Sequence, residues 1–151
     1  MSIGVRITRL FTVGALSAMA LAAAPIGSAN AAAYTPEGVC GSGFSRVSDG
    51  TRAVKEVHTG EVLGYVYLLY NNGTGYNCLA TIKTKYVGVA TTVTAILGIQ
   101  GGDGGYDSDE YKYFAKAVAY GKGKCASIWG GIHGTSSSVY GEGVRGYGNC
   151  G

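Results

Sequence analysis

Two histidines, nine carboxylates, four cysteines and one tryptophan are the side chains through which this 151-residue chain could do chemistry. A hydrolytic triad needs a nucleophile, a base and an orienting acid that converge in space. His58 lies in "EVHTGE" and His133 in "WGGIHG", neither in a nucleophile context. No GxSxG occurs, and "GSGFS" after Cys40 reads as a turn entering a strand. His133 reads as a partly exposed strand histidine rather than a base. Glycoside hydrolysis needs one protonated and one ionised acid across a cleft. Glu56 with Glu61, and Asp109 with Glu110, are the nearby pairs, but they sit in polar, turn-like sequence with nothing apolar to raise a pKa. Glu142 stands alone between glycines. No catalytic residue is assigned, and an enzyme is not expected.

Metal chemistry fares no better. Asp103, Asp107, Asp109 and Glu110 offer oxygens to calcium, but Gly105 stands where the EF-hand pattern needs a second acid and no glutamate closes the loop. No two cysteines lie within CxxC distance, and the histidines are not spaced for a zinc finger. Neither a metal nor a cofactor is expected.

The aromatic residues give a sharper choice. Tyrosine and tryptophan stack on flat ligands through their faces and hydrogen-bond through their polar tips, and glycine neighbours let a ligand approach the backbone. Trp129, Tyr65, Tyr67, Tyr76, Tyr111 and Tyr113 form the candidate ligand surface. The competing reading is that these rings fill a small core in a chain poor in phenylalanine, and that reading is favoured.

The elements that must position these residues begin after a leader. Arg6 and Arg9 form a basic n-region, Leu10 to Ala24 is an apolar run too short to span a bilayer, and Ala29-Asn30-Ala31 supplies small residues for cleavage. Residues 1–31 read as a secretory signal peptide and 32–151 as one secreted β domain; the two arginines are not adjacent, so the twin-arginine signal is missing. No second apolar segment suggests a membrane span. Losing Arg6 and Arg9 lowers the net charge from +3 to +1, which removes most of the electrostatic case for nucleic acid. Lys122 and Lys124 form a close basic pair in what remains, which holds no longer basic run.

Cys40, Cys78, Cys125 and Cys150 are an even set in an exported chain, so two disulfides are expected. Of three pairings, Cys40 with Cys78 and Cys125 with Cys150 is favoured, because sequence neighbours tend to be spatial neighbours in a meander.

Strand signals recur along the chain. In "YVYLLY", Tyr65, Tyr67 and Leu69 alternate with Val66, Leu68 and Tyr70, so both faces are apolar. "NNGTG" is a turn, and Tyr76, Cys78, Ala80 and Ile82 then alternate with Asn77, Leu79, Thr81 and Lys83, completing a hairpin. Asn72-Gly73-Thr74 matches a glycosylation sequon and is read as this turn. Thr91 to Ile99 alternates cleanly, with Val93, Ala95, Leu97 and Ile99 on one face. "QGGDGGYDSDE" reads as a loop. Residues 125–132 and 138–147 read as glycine-broken strands, and 43–47 and 52–57 as two further ones. Asp107 to Gly121 fits two descriptions: a helix with a capping box at Asp107 and Glu110, or a strand with Ala115, Ala117 and Ala119 on one face. Periodicity leaves both open.

The runs "VCGSGF", "VYLLYNNGTGYNC", "YKYFAKAVAYGKGKCASIWGG" and the closing "NCG" resemble the small secreted spore-associated protein A family of actinomycete bacteria, from about Cys40 to Gly151. In that family the segment matching Ala115 to Val118 usually carries Gly-Pro, which spoils a helix. Lys116 and Ala117 depart from it, and the strand is chosen. The connection between Val47 and Gly64 is longer than the family's, so an extra turn or hairpin is expected there. The fold class is then all-β: a small, disulfide-stabilised antiparallel sandwich or open barrel, in a single domain.

The resemblance implies a non-enzymatic secreted protein of the spore surface or cell envelope, with a cell-wall or spore-sheath polymer or protein as partner. Two alternatives stand beside it. One is a carbohydrate-binding module using Trp129 and the tyrosines; the other is a secreted hydrolase inhibitor presenting the loop Gly101 to Glu110. Ligand, partner and self-association are not legible in the sequence.

Overall fold

The computed structural model describes residues 34–151, so the leader read from residues 1–31 lies outside the described residues. The hairpin at its centre is β2 (Val62–Asn71) and β3 (Tyr76–Lys83), paired in unbroken register from Gly64↔Lys83 to Asn71↔Tyr76. Asn71 Oδ1 accepts hydrogen bonds from the amides of Gly73 and Thr74, 3.0 and 3.1 Å, and so fixes the turn.

Before it, β1 (Ser45–Glu56) is one long strand where two were expected. Its ladder to β2 shifts register between Arg46 and Thr51 and again between Val54 and Lys55. The first bulge holds Asp49 at φ +57, and it is this break that divides the pattern in the sequence. The extra length between Val47 and Gly64 is therefore absorbed by a bulged strand and the 57–61 turn, with no added hairpin.

The remaining strands are β4 (Thr91–Ile99), β5 (Gly105–Tyr111), β6 (Phe114–Tyr120), β7 (Ala126–His133) and β8 (Tyr140–Gly148). The eight form one antiparallel sheet in the order β5-β4-β7-β8-β1-β2-β3-β6, curled into a nearly closed barrel. Its edges, β5 and β6, meet without a ladder; Asp107 Oδ2 bridges them by accepting from the Lys116 amide at 2.8 Å. Two expectations are corrected here. Asp107 to Gly121 is neither a helix nor one strand: the chain bends at Lys112-Tyr113 and its halves pair with different partners, β5 with β4 and β6 with β3. The loop expected over residues 100–110 is strand from Gly105 onward. β5 is an edge strand carrying Asp107, Asp109 and Glu110, and charged edges hide the strand pattern while discouraging stray pairing.

Alternation directs Val66 and Leu68, Leu79, Val93, Ala95 and Leu97, and Ala115, Ala117 and Ala119 into the barrel, where all are buried. The bore is narrow. A Cβ at Gly130 on β7 would lie 2.2 Å from Val66 Cγ2 and 2.6 Å from Thr81 Oγ1, so only glycine fits opposite those side chains.

The other face of the hairpin is also covered. Thr35 Oγ1 accepts from the Gly38 amide at 3.0 Å and Pro36 opens a five-residue helix, α1 (Pro36–Cys40). Val39 and Cys40 of α1 pack on Leu69, Cys78, Ala80 and Ile82, with Phe44, Tyr67 and Phe114 around them. This second small core explains why both faces of β2 are apolar. The disulfides are Cys40–Cys78, which fastens α1 to β3, and Cys125–Cys150, which joins the entry of β7 to the tail after β8. Closing loops of 38 and 25 residues, each contributes about 3 to 4 kcal/mol in the chain-entropy picture.

Inside the barrel, β3 points Asn77, Leu79, Thr81 and Lys83 inward. Lys83 is 2% exposed and braces one end of the bore. Its Nζ donates to Val89 O at 2.7 Å, Thr91 Oγ1 at 2.8 Å and Tyr111 O at 3.2 Å, joining β3 to β4, β5 and the loop before β4. Burial lowers its pKa from the ordinary 10.5.

Thr81 Oγ1 is buried with no hydrogen-bond partner among the described residues, so Thr81→Val should raise the unfolding free energy by about 1 kcal/mol. Gly130→Ala should lower it by about 1 to 3 kcal/mol through overpacking. Urea midpoints at constant slope check both. For Lys83, the unfolded chain holds the proton more tightly than the folded one in the window below 10.5, so stability rises with pH there. The unfolding free energy of the native protein minus that of Lys83→Met should accordingly increase as pH climbs through that window; a flat difference would remove the charge from the account of Lys83.

Candidate functional site

The structure puts the six candidate aromatics in several places. Tyr65 and Tyr67 stand on the outer wall of β2 with ring centroids 6.1 Å apart. Tyr67 is committed to the α1 side: the Arg46 guanidinium lies 5.2 Å from its ring centroid while ion-paired to Glu37 of α1 at 2.8 Å, and burial raises the tyrosine's pKa. Tyr76 meets Tyr120 edge-on at 5.5 Å, near the β2–β3 turn. Tyr111 packs against the interior, and its hydroxyl donates to Asp107 Oδ1 at 2.6 Å; that hydrogen bond is the main reason its pKa is pushed up to about 12. Tyr113 lies against Tyr34, 4.9 Å between centroids. None of these five reaches Trp129.

Trp129 instead gathers partners from β8. Outward positions on β7 are Trp129, Gly131 and His133; on β8 they are Tyr140, Glu142 and Val144. The ladder sets Trp129 opposite Val144, Gly131 opposite Glu142 and His133 opposite Tyr140. The indole lies down across Gly131, where a Cβ would be only 2.8 Å from its Cη2 atom. The indole there is half-buried, with part of it open to solvent. Trp129 Nε1 donates to Glu142 Oε2 at 3.1 Å, and the Tyr140 hydroxyl donates to the same oxygen at 3.5 Å. The two rings are 6.4 Å apart and 30° from parallel, and His133 lies against Tyr140 with 4.8 Å between centroids and 44° between planes. Burial first, then the Glu142 charge, raises the Tyr140 pKa. Glu142 Oε1 accepts no hydrogen bond from the described residues.

The wall extends sideways. Trp129 pairs with Ile96 on β4, and Ile96 with Tyr106 on β5. Tyr106, Ile96, Trp129 and Val144 thus form a row across four strands, about 15 Å long at the usual strand spacing. Three of its members face solvent, with Tyr106 70%, Val144 50% and Ile96 38% exposed.

Of the four acids weighed in pairs for catalysis, Glu56, Glu61 and Asp109 have structural partners. Glu56 Oε2 accepts from the amides of His58 and Thr59 at 3.0 and 2.5 Å, and bonding from Thr59, against burial, holds its carboxyl below the ordinary range. Glu61 is ion-paired with Lys85. Asp109 Oδ1 accepts from the amide of Glu110 at 2.8 Å. Among the described residues no group of three or more His, Cys, Asp or Glu is placed to hold a metal ion, and no helix is long and apolar enough to cross a membrane.

Comparison with known proteins decides the family. Spore-associated protein A of Streptomyces coelicolor is 35% identical over 128 residues, an alignment that takes in 83% of this chain and 77% of the relative. The chain belongs to the spore-associated protein A family. No family model matches it, and no solved structure does. The family resemblance carried by the cysteine framework and the tyrosine hairpin therefore holds, and for this member of the spore-associated protein A family the framework is two disulfides on a barrel.

Sequence reasoning found Trp129 and missed Tyr140, His133 and Glu142 as its neighbours. Alternation in "WGGIH" and "YGEGV" signals that each set shares a face; the antiparallel pairing that unites the sets is a tertiary fact. Since Glu142 orients the indole from an exposed position, Glu142→Ala should shift the emission of the lone tryptophan to the red and increase its quenching by acrylamide. Unfolding free energy should fall by less than about 1 kcal/mol. Unchanged emission would show that packing alone holds the ring.

Proposed function

We propose that the protein is a non-enzymatic, secreted component of the spore surface or cell envelope. The observation that carries this reading is its likeness to a protein named for its association with spores. The two disulfides support it, since they persist in oxidising compartments outside the cytoplasm. The non-enzymatic part is supported by the engagement of Glu56, Glu61 and Asp107 in turns, an ion pair and the barrel seam rather than across a cleft. The inhibitor reading loses ground, because half of its loop, from Gly105 onward, is strand β5.

The test is to divide the protein from a sporulating culture of the producing strain between a mild detergent wash of intact spores and the cleared medium. Recovery chiefly in the wash is expected. Recovery almost wholly in the medium would overturn the surface assignment.

A further inference from the structure

We infer that the outer wall of β7 and β8 is a glycan-binding platform for a neutral β-linked glucan, with Trp129 and Tyr140 as stacking rings and Glu142 as the hydrogen-bond acceptor between them. This deepens the surface reading by naming a polymer to be gripped, and rests on that reading only for where the polymer is met.

Gly130 must be glycine because Val66 and Thr81 occupy its side-chain space, so the bulk of this part of β7 points outward. Gly131, outward and without a side chain, lets the indole lie flat on the sheet instead of standing up from it. Tyr140 presents a second ring 30° from the first and 6.4 Å away, so the two faces can be met together by adjoining sugars of one chain. Pyranoses with equatorial hydroxyls carry their C–H bonds on the ring faces and their hydroxyls around the rim. Flat aromatic faces suit the first and a carboxylate at the ring edges suits the second. Glu142 supplies that carboxylate: Oε2 is held by both rings while Oε1 is unengaged by the described residues.

The charge pattern narrows the ligand. Glu142 pairs across the ladder with exposed Lys55 of β1, so the platform carries one charge of each sign and has no cationic cluster to hold an anionic polymer. A carboxylate accepts and does not donate, which favours a chain rich in free hydroxyls over one whose hydroxyls are substituted. The row Tyr106, Ile96, Trp129 and Val144 continues the apolar surface beyond the two rings, giving a strip suited to an extended chain rather than a single sugar. Rigid rings on strands lose little freedom on binding.

The chain has one tryptophan, so its fluorescence, excited beyond tyrosine absorption, reports this wall alone. Purified protein should be retained on microcrystalline cellulose, and cellohexaose should shift the emission to the blue with an affinity that increases with oligosaccharide length. Trp129→Ala and Tyr140→Ala should each weaken retention at least tenfold, and Glu142→Gln severalfold, with the unfolding transition still cooperative. Tyr76→Ala, at the distant turn, should bind as the native protein does. Absence of both retention and any emission shift would overturn the proposal, as would retention that survives Trp129→Ala and Tyr140→Ala. Retention on chitin alone would overturn the choice of glucan, and a concentration-dependent doubling of mass that buries Trp129 without sugar would assign the wall to a second copy. These outcomes are read on purified protein, so they stand or fall independently of the spore-wash experiment.

Discussion

The narrowness of the barrel is the constraint on which the rest of the structure depends. Eight strands curl until Val66 of β2 fills the space a side chain at Gly130 of β7 would need. Large residues on β2, β3 and β4 can enter the bore only because β6 and β7 answer them with Ala115, Ala117, Ala119 and Gly130. Part of the chain's high glycine content, 27 of 151 residues, follows from this geometry as well as from turns. So does the placement of the aromatic residues, which are too large for the interior and gather on the outer wall or at the barrel ends.

A tight barrel also leaves little apolar area to hold it together, since small domains bury a smaller share of their surface than large ones. The chain compensates in two ways. It builds a second core outside the wall, under α1, and locks it with Cys40–Cys78. At the end of the bore it sets Lys83, whose ammonium donates to three neutral acceptors and has no counter-ion among the described residues. Such a brace fixes the relative positions of three elements, at the cost of desolvating a charge.

Much of this was legible in the order of residues. The β2–β3 hairpin and β4 follow from alternation and turn chemistry, because each is specified by residues close in sequence. β5 was not, since an edge strand carries charges that look like a loop. The unity of β1 was hidden by its bulges. The start of α1 had a signal, Thr35 before Pro36 with Glu37 next, in a segment too short for helical periodicity to be seen. Of the candidate surface, Trp129 was visible as a residue type, whereas Tyr140 and Glu142 became its neighbours through a ladder that no local pattern announces. Tyr67 and Tyr111 show the converse: residues that suit a ligand by type are occupied by Arg46 and Asp107.

The ladder between β1 and β8 is the shortest in the sheet, with two register pairs, Lys55↔Glu142 and Glu56↔Gly141. Of the ladders in the sheet it joins the strands most distant in sequence, so its formation carries the largest loop-closure entropy among them. Neither disulfide crosses it: one fastens α1 to β3 and the other holds β7 to the tail after β8. The barrel therefore has two joins that no disulfide spans, the ladderless β5–β6 seam and this one, where Val57 N also donates to Tyr140 O at 3.0 Å and Asn149 Nδ2 to Ser48 O at 2.7 Å. Each can open like a cuff with both covalent links intact while the hairpin and its helical cover remain assembled.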